Sequence, residues 1–378
     1  MFLIINNPME HSLFKQQKLT GRYIAPSHIN TLLDKLPKQF ERTQIGSSVN
    51  GHPIEKIKIG TGKKRILMWS QMHGNESTTT KAVFDLLNFL ESESELSDSI
   101  LSNCELHIIP MLNPDGSEAY TRVNANKVDI NRDAQELSQP ESVALREAFN
   151  EINPNFCFNL HGQRTIFNTK GTVKPATVSF LSPSANLEKT ITPARKKAME
   201  LIVVMNEALQ LIIPGQIGRY DDGFNINCVG DTFQSLGAPT ILFEAGHYPE
   251  DYVREKTRVF IWKALLVVLD YISNHENGVD KTEAYFDIPE NEKRFFDIII
   301  ENVTVLEKNK TTKKDIAVQY KEVLAKNQVI FVPEIRGIGS YKNHLAHQKL
   351  NYIDYQKDAI YVNDLDNSWI FEFLKNYH

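Results

Sequence analysis

Hydrophobic and polar positions along the first 275 residues predict short strands that alternate with longer helices. Short apolar runs bounded by glycine, asparagine or charged residues are typical of strands. Such runs occupy residues 55–59, 65–69, 105–111, 156–160 and 240–243. Apolar residues recur at helical spacing over residues 78–90, 186–211 and 251–273. Strands separated by helices of this length predict an α/β fold with a mixed, mainly parallel sheet flanked by helices.

The pattern changes after residues 274–278, a polar and turn-rich segment with the sequence NHENG. Beyond it, the runs that resemble β-strands are FFDIIIENVTVLE, IAVQYKEV, QVIFVPEI and NYIDY. We therefore predict a larger domain over residues 1–280 and a small β-rich C-terminal domain over residues 285–378.

Composition narrows the classes of protein to consider. Hydrophobic residues make up 41% of the 378 residues and charged residues 24%, which is ordinary for a globular protein. The net charge of −5 gives no reason to expect a nucleic acid or an anionic membrane as a partner. No apolar run approaches the roughly 20 residues of a membrane span. The oligomeric state is left open.

Two features favour a cytoplasmic protein. The N-terminal stretch MFLIINNPMEHSLF lacks a basic segment and a long apolar segment, so we expect no secretory signal. Three cysteines, Cys104, Cys157 and Cys228, are far apart in the chain and odd in number. This usage predicts free thiols in a reducing compartment rather than structural disulfides or a thiolate zinc site.

The pattern His-x-x-Glu occurs three times, and its surroundings differ between the copies. The copies begin at His52, His73 and His247. His52 follows a turn and precedes a half-polar strand, and Glu250 of the third copy is predicted to begin the closing helix. His73 instead directly follows a strongly apolar strand, and Gly74 allows a tight turn. Ligands bind at the carboxyl ends of strands in such sheets, so the middle copy is the best placed.

A zinc site with an open coordination position needs three protein ligands. His161 follows the apolar strand at residues 156–160 and is itself followed by Gly162. Two strand ends in one sheet can bring His73, Glu76 and His161 together. A single histidine at a strand end would be better explained as a hydrogen-bonded, partly buried imidazole. Two such histidines with one nearby carboxylate favour a metal.

Glu244 is the candidate general base, because it ends the apolar strand at residues 240–243. A carboxylate that emerges from apolar residues is partly desolvated, and desolvation raises its pKa. One alternative is that Glu244 only pairs with an arginine. Another is that Glu244 and His247 are themselves metal ligands, although the following Tyr248, Pro249 and helix should draw His247 away.

These residues form an ordered series that resembles the zinc carboxypeptidase family, the M14 metallopeptidases. The series spans about residues 72–246 and consists of His73-x-x-Glu76, the segment Asn-Pro-Asp-Gly at 113–116, Asn131-Arg132, His161 and Glu244. Each element alone is a weak signal, but the five in this order are a strong one. The resemblance implies one zinc ion per chain, bound by His73, Glu76 and His161, and a water molecule activated by Glu244.

The resemblance also implies roles in substrate binding. Arg122, the arginine between the two central motifs, would polarise the scissile carbonyl. Asn131 and Arg132 would hold the terminal carboxylate of the substrate. Tyr220 is the nearest tyrosine upstream of Glu244 and is the candidate for a residue that caps the substrate. Asp133 departs from the family pattern, and a carboxylate beside Arg132 would weaken its hold on an anion or bind a substrate amine.

Three functions are compatible with this series. The leading hypothesis is a cytoplasmic zinc carboxypeptidase that acts on peptides, cell-wall-derived ones included, or on small amides with a free carboxylate. The second is a zinc amidohydrolase similar to aspartoacylase and succinylglutamate desuccinylase, acting on N-acyl amino acids. The third is a non-catalytic binding protein on the same scaffold, against which the intact ligands and base argue. Asp222 and Asp231 precede Glu244 and are candidates to favour a basic substrate residue.

Overall fold

The computed structural model describes residues 8–92, 94–276, 278–354 and 359–377. The chain divides into two compact units. The first contains the residues up to Gln163 together with Thr169–Asn291, and the second contains Arg164–Asn168 and the residues from Glu292 onward. Residues 285–291 thus belong to the first unit, whereas we predicted a boundary between residues 280 and 285.

Some expectations from the sequence fall on residues outside the described ranges. These residues include the apolar run at 2–5, Asn277 of the turn-rich segment, and Tyr355 of NYIDY. Among the helices of the described residues, none combines the length and the apolarity that a membrane crossing requires.

A mixed sheet of eight strands forms the centre of the first unit in the described part of the chain. In chain order its strands are β1 Glu41–Ser47, β2 Pro53–Ile59, β3 Lys64–Ser70, β4 Cys104–Ile109, β5 Phe156–Gly162, β7 Val178–Leu181, β8 Ile217–Arg219 and β9 Thr240–Ala245, with β6 Phe167–Thr169 lying outside this sheet. Their spatial order is β1-β2-β4-β3-β5-β9-β7-β8. The four central strands β4, β3, β5 and β9 run parallel, so their carboxyl ends meet at one edge of the sheet.

Helices cover both faces of this sheet. In chain order the α-helices described in the first unit are α1 Pro8–Phe14, α2 Pro26–Leu33, α3 Thr78–Leu90, α4 Glu95–Asn103, α5 Pro114–Ala119, α6 Pro140–Ile152, α7 Pro193–Gln210, α8 Val229–Ser235, α9 Glu255–Asn274 and α10 Thr282–Phe286. A large apolar cluster joins one face to α3, α7 and α9. A smaller cluster joins the other face to α6 and α8 and contains Trp69, Cys157 and Phe233.

The second unit is built mainly from β-strands. Strand β10, Asn291–Lys293, begins in the first unit and pairs with β6. It is followed by β11 Phe295–Glu307, β12 Lys310–Ala325, β13 Gln328–Gly339, β14 Leu345–Asn351, β15 Ile360–Tyr361 and α11 Asn367–Tyr377. Strand β11 pairs with β12 in antiparallel and with β14 in parallel orientation. The predicted β-rich character of this region is confirmed. The predicted strand at NYIDY is wrong, because Tyr352–Asp354 forms a 3₁₀ turn, and α11 was not predicted.

The predicted α/β fold is confirmed, and most predicted elements lie within a few residues of the observed ones. Helix α3 has the predicted bounds. Helix α7 begins at Pro193 rather than at 186, because the Thr192 side chain accepts a hydrogen bond from Arg195 N and proline suits the first helical position.

The predicted start of the closing helix α9 is wrong. The helix begins at Glu255, and the carboxylate of Asp251 accepts hydrogen bonds from the backbone N–H groups of Glu255, Lys256 and Thr257 at 2.8–3.0 Å. Glu250, which we expected at the start of this helix, is exposed and has a φ of 62°. The residue that stabilises the helix N-terminus is therefore Asp251.

Candidate metal centre

The turn after β3 holds His73 and Glu76 on one side of the sheet edge. The chain leaves β3 at Gln71, a buried residue with a φ of 44°. The Gln71 side-chain amide donates hydrogen bonds to Ile24 O at 2.9 Å, Gly74 O at 2.8 Å and Ser117 Oγ at 2.9 Å. These bonds hold a backbone conformation that residues other than glycine rarely adopt.

The segment Asn-Pro-Asp-Gly at residues 113–116 supports the same turn. The Asn113 side chain accepts a hydrogen bond from Gly116 N at 2.8 Å, which begins α5, and donates one to Met72 O at 3.2 Å. A Cβ atom on Gly74 would overlap the backbone of Gly116. The motif is thus a packing surface for the turn that carries His73, and position 74 requires glycine.

The three predicted ligands converge at the edge of the sheet. His161 lies at the end of β5, beside β3. His73 Nδ1 lies 2.9 Å from Glu76 Oε1, and His161 Nδ1 lies 3.0 Å from Glu76 Oε2. The two Nδ1 atoms are 3.1 Å apart. Within the described ranges this is the one group of three such side chains whose ligand atoms all lie within 4.8 Å of one another.

Asp129, which the sequence analysis missed, orients His73. Its Oδ1 lies 3.1 Å from His73 Nε2. An ionised carboxylate only accepts hydrogen bonds, so Nε2 carries a proton, and when the ring is neutral Nδ1 directs its lone pair at the other ligands. Two imidazole nitrogens and one carboxylate, with a carboxylate behind one imidazole, are a typical donor set for zinc. The residues present therefore fit a zinc ion.

The electrostatics of the group also suit a cation. Burial opposes ionisation of Glu76, but the neighbouring His73 and His161 hold the pKa of that carboxyl well below its usual range. Burial lowers the pKa of His161. Glu76 is thus ionised and His161 neutral near pH 7, the protonation states in which a carboxylate and an imidazole bind a metal.

The other two copies of His-x-x-Glu do not contribute to this group. The His52 ring lies 3.3 Å from Glu118, and Glu55 pairs with Arg42 at 2.9 Å. His247 is buried and packs against the Tyr252 ring at 4.7 Å between centroids. Neither Glu244 nor His247, the pair in the alternative ligand set, belongs to the converging group found among the described residues.

Glu244 lies directly beside His161, since the two are register partners on β9 and β5. Among the described residues, Glu244 Oε2 is buried and has no hydrogen-bond partner. Burial first, and then the negative charge of Glu76, raise the pKa of Glu244 well above its usual range. The carboxylate is thus next to the candidate metal ligands and is a stronger base than an exposed glutamate.

Arg122 lies on the open side of the same group. Its Nε donates to Asp129 Oδ2 at 3.0 Å, and its Nη1 lies 3.4 Å from Glu76 Oε1. The side chain is 47% exposed, so its guanidinium can also meet a molecule that enters from solvent.

Asn131 and Arg132 follow Asp129 in a 3₁₀ turn, Ile130–Arg132. Asn131 accepts a hydrogen bond from Val229 N at 3.0 Å, which joins this turn to the start of α8. Arg132 is exposed. The expectation that Asp133 interferes with Arg132 is wrong. Asp133 is buried and accepts hydrogen bonds from the backbone and hydroxyl of Ser138 and from Gln139 N at 2.7–3.0 Å.

The remaining candidates differ in their surroundings. Burial and the charge of Glu244 raise the pKa of Tyr220, whose hydroxyl bonds the Asn291 side chain, so this tyrosine lies close to the centre. Asp222 pairs with Lys189 at 2.8 Å and with Arg195, which occupies its carboxylate. Asp231 lies on α8, and burial raises its pKa to about 6.

Comparison with known proteins identifies the scaffold. The family model described as zinc carboxypeptidase matches residues 26–227, more than half of the chain. Carboxypeptidase SOL1 of Arabidopsis thaliana is 31% identical over 174 residues, which are 40% of this chain and 35% of that protein. Carboxypeptidase M of Mus musculus is 29% identical over 144 residues, 31% of this chain and 32% of that protein. The chain thus spans about a third of the length of these two relatives.

Solved structures agree at the level of the fold. A metallo-carboxypeptidase from Burkholderia cenocepacia superposes with a TM-score of 0.53 and 19% identity over 66% of this chain and 70% of the other. Carboxypeptidase A from Helicoverpa armigera gives a TM-score of 0.53 and 17% identity over 70% and 80% of the two chains. Because the family model covers more than half of the chain, this protein belongs to the zinc carboxypeptidase family.

Proposed function

We propose that the protein is a zinc-dependent carboxypeptidase that removes the C-terminal residue from peptides. The observation that carries the proposal is the convergence of His73, Glu76 and His161 beside Glu244, whose Oε2 is buried and has no hydrogen-bond partner among the described residues. The first three would hold one zinc ion, and Glu244 would act as the general base. The match to the zinc carboxypeptidase model supports this assignment, although Glu244 lies beyond residues 26–227.

Glu244 would carry out the proton transfers of the hydrolysis. Zinc, when bound, supplies a Lewis acid that activates water and polarises a carbonyl group. Glu244 accepts a proton from the attacking water as the new C–O bond forms at the scissile carbonyl carbon. The same carboxyl then donates this proton to the leaving nitrogen as the C–N bond breaks. The raised pKa of Glu244 suits both roles, because a group that takes and returns a proton works best near the pH of the reaction.

Arginines bind the charges of the substrate and the transition state. Arg122, held by Asp129 and partly exposed, would stabilise the negative charge that develops on the carbonyl oxygen. Arg132 would bind the free C-terminal carboxylate through two parallel hydrogen bonds, a geometry that the guanidinium fork favours. Asn131 supports this site, since its side chain ties the turn to α8.

Tyr220 would cover the bound substrate. Desolvation and the negative charges of Glu244 and Glu76 raise the pKa of Tyr220, which supports a position near these two carboxylates. A tyrosine at this position excludes water from the charged groups, which strengthens their interaction with substrate.

The proposal is tested first by metal content. We expect one zinc ion per chain in the wild type, and loss of the ion in His161→Ala because two ligands hold zinc poorly. His52→Ala is the matched control, since His52 belongs to the same sequence pattern but lies against Glu118. A His161→Ala protein that retains a full equivalent of zinc would contradict the proposed site.

The second test separates peptides from acyl amino acids. Purified zinc-loaded protein is assayed on a small library of free-acid peptides and on N-acetyl and N-succinyl amino acids. We expect release of C-terminal residues from the peptides. Cleavage of the acyl amino acids alone would replace the carboxypeptidase with the amidohydrolase alternative.

A further inference from the structure

The sheet face that carries the metal ligands has a second row of side chains beneath them. Paired residues on neighbouring strands point to the same face, so His161, Glu244 and Ser179 form one row across β5, β9 and β7. Two residues further into the sheet, the pairing Asn159–Leu242–Leu181 forms the next row on that face. The separation along a strand is about 6.6 Å, which is comparable with the reach of a medium-sized side chain.

Two members of this second row are not fully buried. Leu242 and Leu181 lie on inner strands of the eight-stranded sheet, yet both are partly exposed. Glu244, directly above Leu242, is partly exposed as well. Inner residues of a sheet covered by helices are normally buried on both faces. Solvent therefore reaches this part of the sheet at Glu244 and, two residues further into the strand, at Leu242.

Asn159 contributes a polar group to this otherwise apolar row. Its side chain is 1% exposed, and among the described residues neither its amide oxygen nor its amide nitrogen has a hydrogen-bond partner. Buried amides are nearly always paired, because leaving one unpaired costs free energy. The indole N–H of Trp69, its register partner on β3, is buried and unpaired in the same part of the structure.

The row also lies on the face of the sheet that is near Asn131 and Arg132, the residues proposed to bind the substrate carboxylate. Helix α8 packs on this face of the sheet, because Val229 and Phe233 share an apolar cluster with Trp69 and Cys157. Val229 N is the group bonded by Asn131, the neighbour of Arg132. A substrate whose carboxylate is held at Arg132 and whose scissile bond lies at Glu244 therefore has its C-terminal side chain directed towards this row.

We propose that Asn159 is a specificity-determining residue that selects C-terminal residues with a carboxamide side chain, glutamine above all. This inference rests on the proposed carboxypeptidase function. The Asn159 amide offers an NH₂ group as donor and a carbonyl oxygen as acceptor, and a carboxamide can bond both, whereas an aliphatic side chain bonds neither. Leu181, Leu242 and the neutral amide present no charge, so a lysine or glutamate side chain would lose its hydration without gaining an ion pair from them.

The experiment compares peptides that differ only in the C-terminal residue, glutamine or the similarly sized methionine. For wild-type zinc-loaded enzyme we expect kcat/KM to be at least about 10-fold higher for glutamine, since a site built for hydrogen bonds rejects a substrate that lacks them. In Asn159→Leu, which has a similar shape, we expect the ratio to fall to about 1 or below. Inhibition by free L-glutamine and L-methionine, the two products, should shift in the same direction and does not depend on turnover.

Asn159→Ser provides a second variant if the leucine variant does not fold, and its ratio should fall as well. Both variants should bind zinc and melt like the wild type. An unchanged ratio in a folded, zinc-loaded variant, or a wild type that prefers methionine, would overturn the role of Asn159 and leave the carboxypeptidase function standing. A wild type that releases no C-terminal residue from any peptide would overturn the proposed function itself, and this inference with it.

Discussion

Removal of the Asp129 carboxylate should weaken zinc binding although Asp129 is not a ligand. Its Oδ1 accepts from His73 Nε2 and from Asn131 N, and its Oδ2 accepts from Arg122 Nε. In Asp129→Ala, His73 loses the partner that fixes its tautomer and ring orientation. Loss of such a partner typically weakens metal binding by about 10–100-fold. At 1.36 kcal/mol per factor of ten, this is about 1.4–2.7 kcal/mol of binding free energy.

Asp129→Asn should have a smaller effect on zinc and a larger one on Arg122. The asparagine oxygen can still accept from His73, so we expect the zinc Kd to rise less than about 10-fold. Its NH₂ group would face the Arg122 N–H, and two donors cannot bond each other. Turnover should therefore fall in both variants even at saturating zinc.

The assay is competition for zinc with a chromogenic chelator, and Asp133→Ala is the matched control. Asp133 lies four residues further along the same loop, but its carboxylate bonds Ser138 and Gln139. Its removal should lower the melting temperature and leave the zinc Kd unchanged. Wild-type zinc affinity in Asp129→Ala would refute the orienting role, and equal weakening in Asp133→Ala would show that the loop as a whole is responsible.

Three further outcomes are expected. Glu244→Gln should retain zinc and lose about 10²–10⁴-fold in kcat, because the amide cannot accept a proton; near-normal turnover would place the base elsewhere. Gly74→Ala should destabilise the protein by about 1–3 kcal/mol in urea unfolding, because the added methyl overlaps Gly116. Burial alone would raise the pKa of Glu255, but the positive charges around it, chiefly that of Lys81, lower this pKa to about 2. The Glu255 carboxylate therefore stabilises the fold above the pKa that it has in the unfolded chain, and this stabilisation is lost as the pH falls towards the pKa in the folded state. The stability gap between wild type and Glu255→Gln should therefore shrink below pH 4.5; a gap independent of pH would contradict this.

The convergence of the three candidate metal ligands could be predicted because each lies at or shortly after the carboxyl end of a buried strand. The strands ending at Ser70 and Gly162 have strong apolar patterns, and parallel strands bring their carboxyl ends together. The same reasoning brought Glu244 beside His161. In each case a local pattern determines which residues meet, even though they are far apart in sequence.

Asp129 could not be found in this way, since an acidic residue in a loop is usually solvated and nothing before the turn at residues 130–132 marks it. A possible signal is its position two residues before Asn131, in a segment that already contains Arg122. The error at Asp133 has a related cause: sequence adjacency to Arg132 does not reveal that the carboxylate turns inward to bond residues 138 and 139.

The sequence pattern also could not predict helix boundaries that depend on side-chain capping. The start of α9 is set by Asp251, four residues before the helix, through three backbone N–H groups. Apolar spacing alone extends the helix back to residue 251. The unpaired amide of Asn159 is equally invisible in the sequence, where it is one polar residue in the strand FCFNL, and becomes informative only through the sheet register.

Arg132 and the zinc centre are proposed to act together on the free C-terminus of a peptide. The most direct test is kcat/KM for one peptide as the free acid and as its C-terminal amide, with wild-type zinc-loaded enzyme. Amidation removes the charge that Arg132 would bind, and each hydrogen bond to a charged group is worth about 1.5–3 kcal/mol. A lost pair should lower kcat/KM by at least about 100-fold. A ratio of about 100 or more in favour of the acid is predicted, and equal values for acid and amide would contradict the claim.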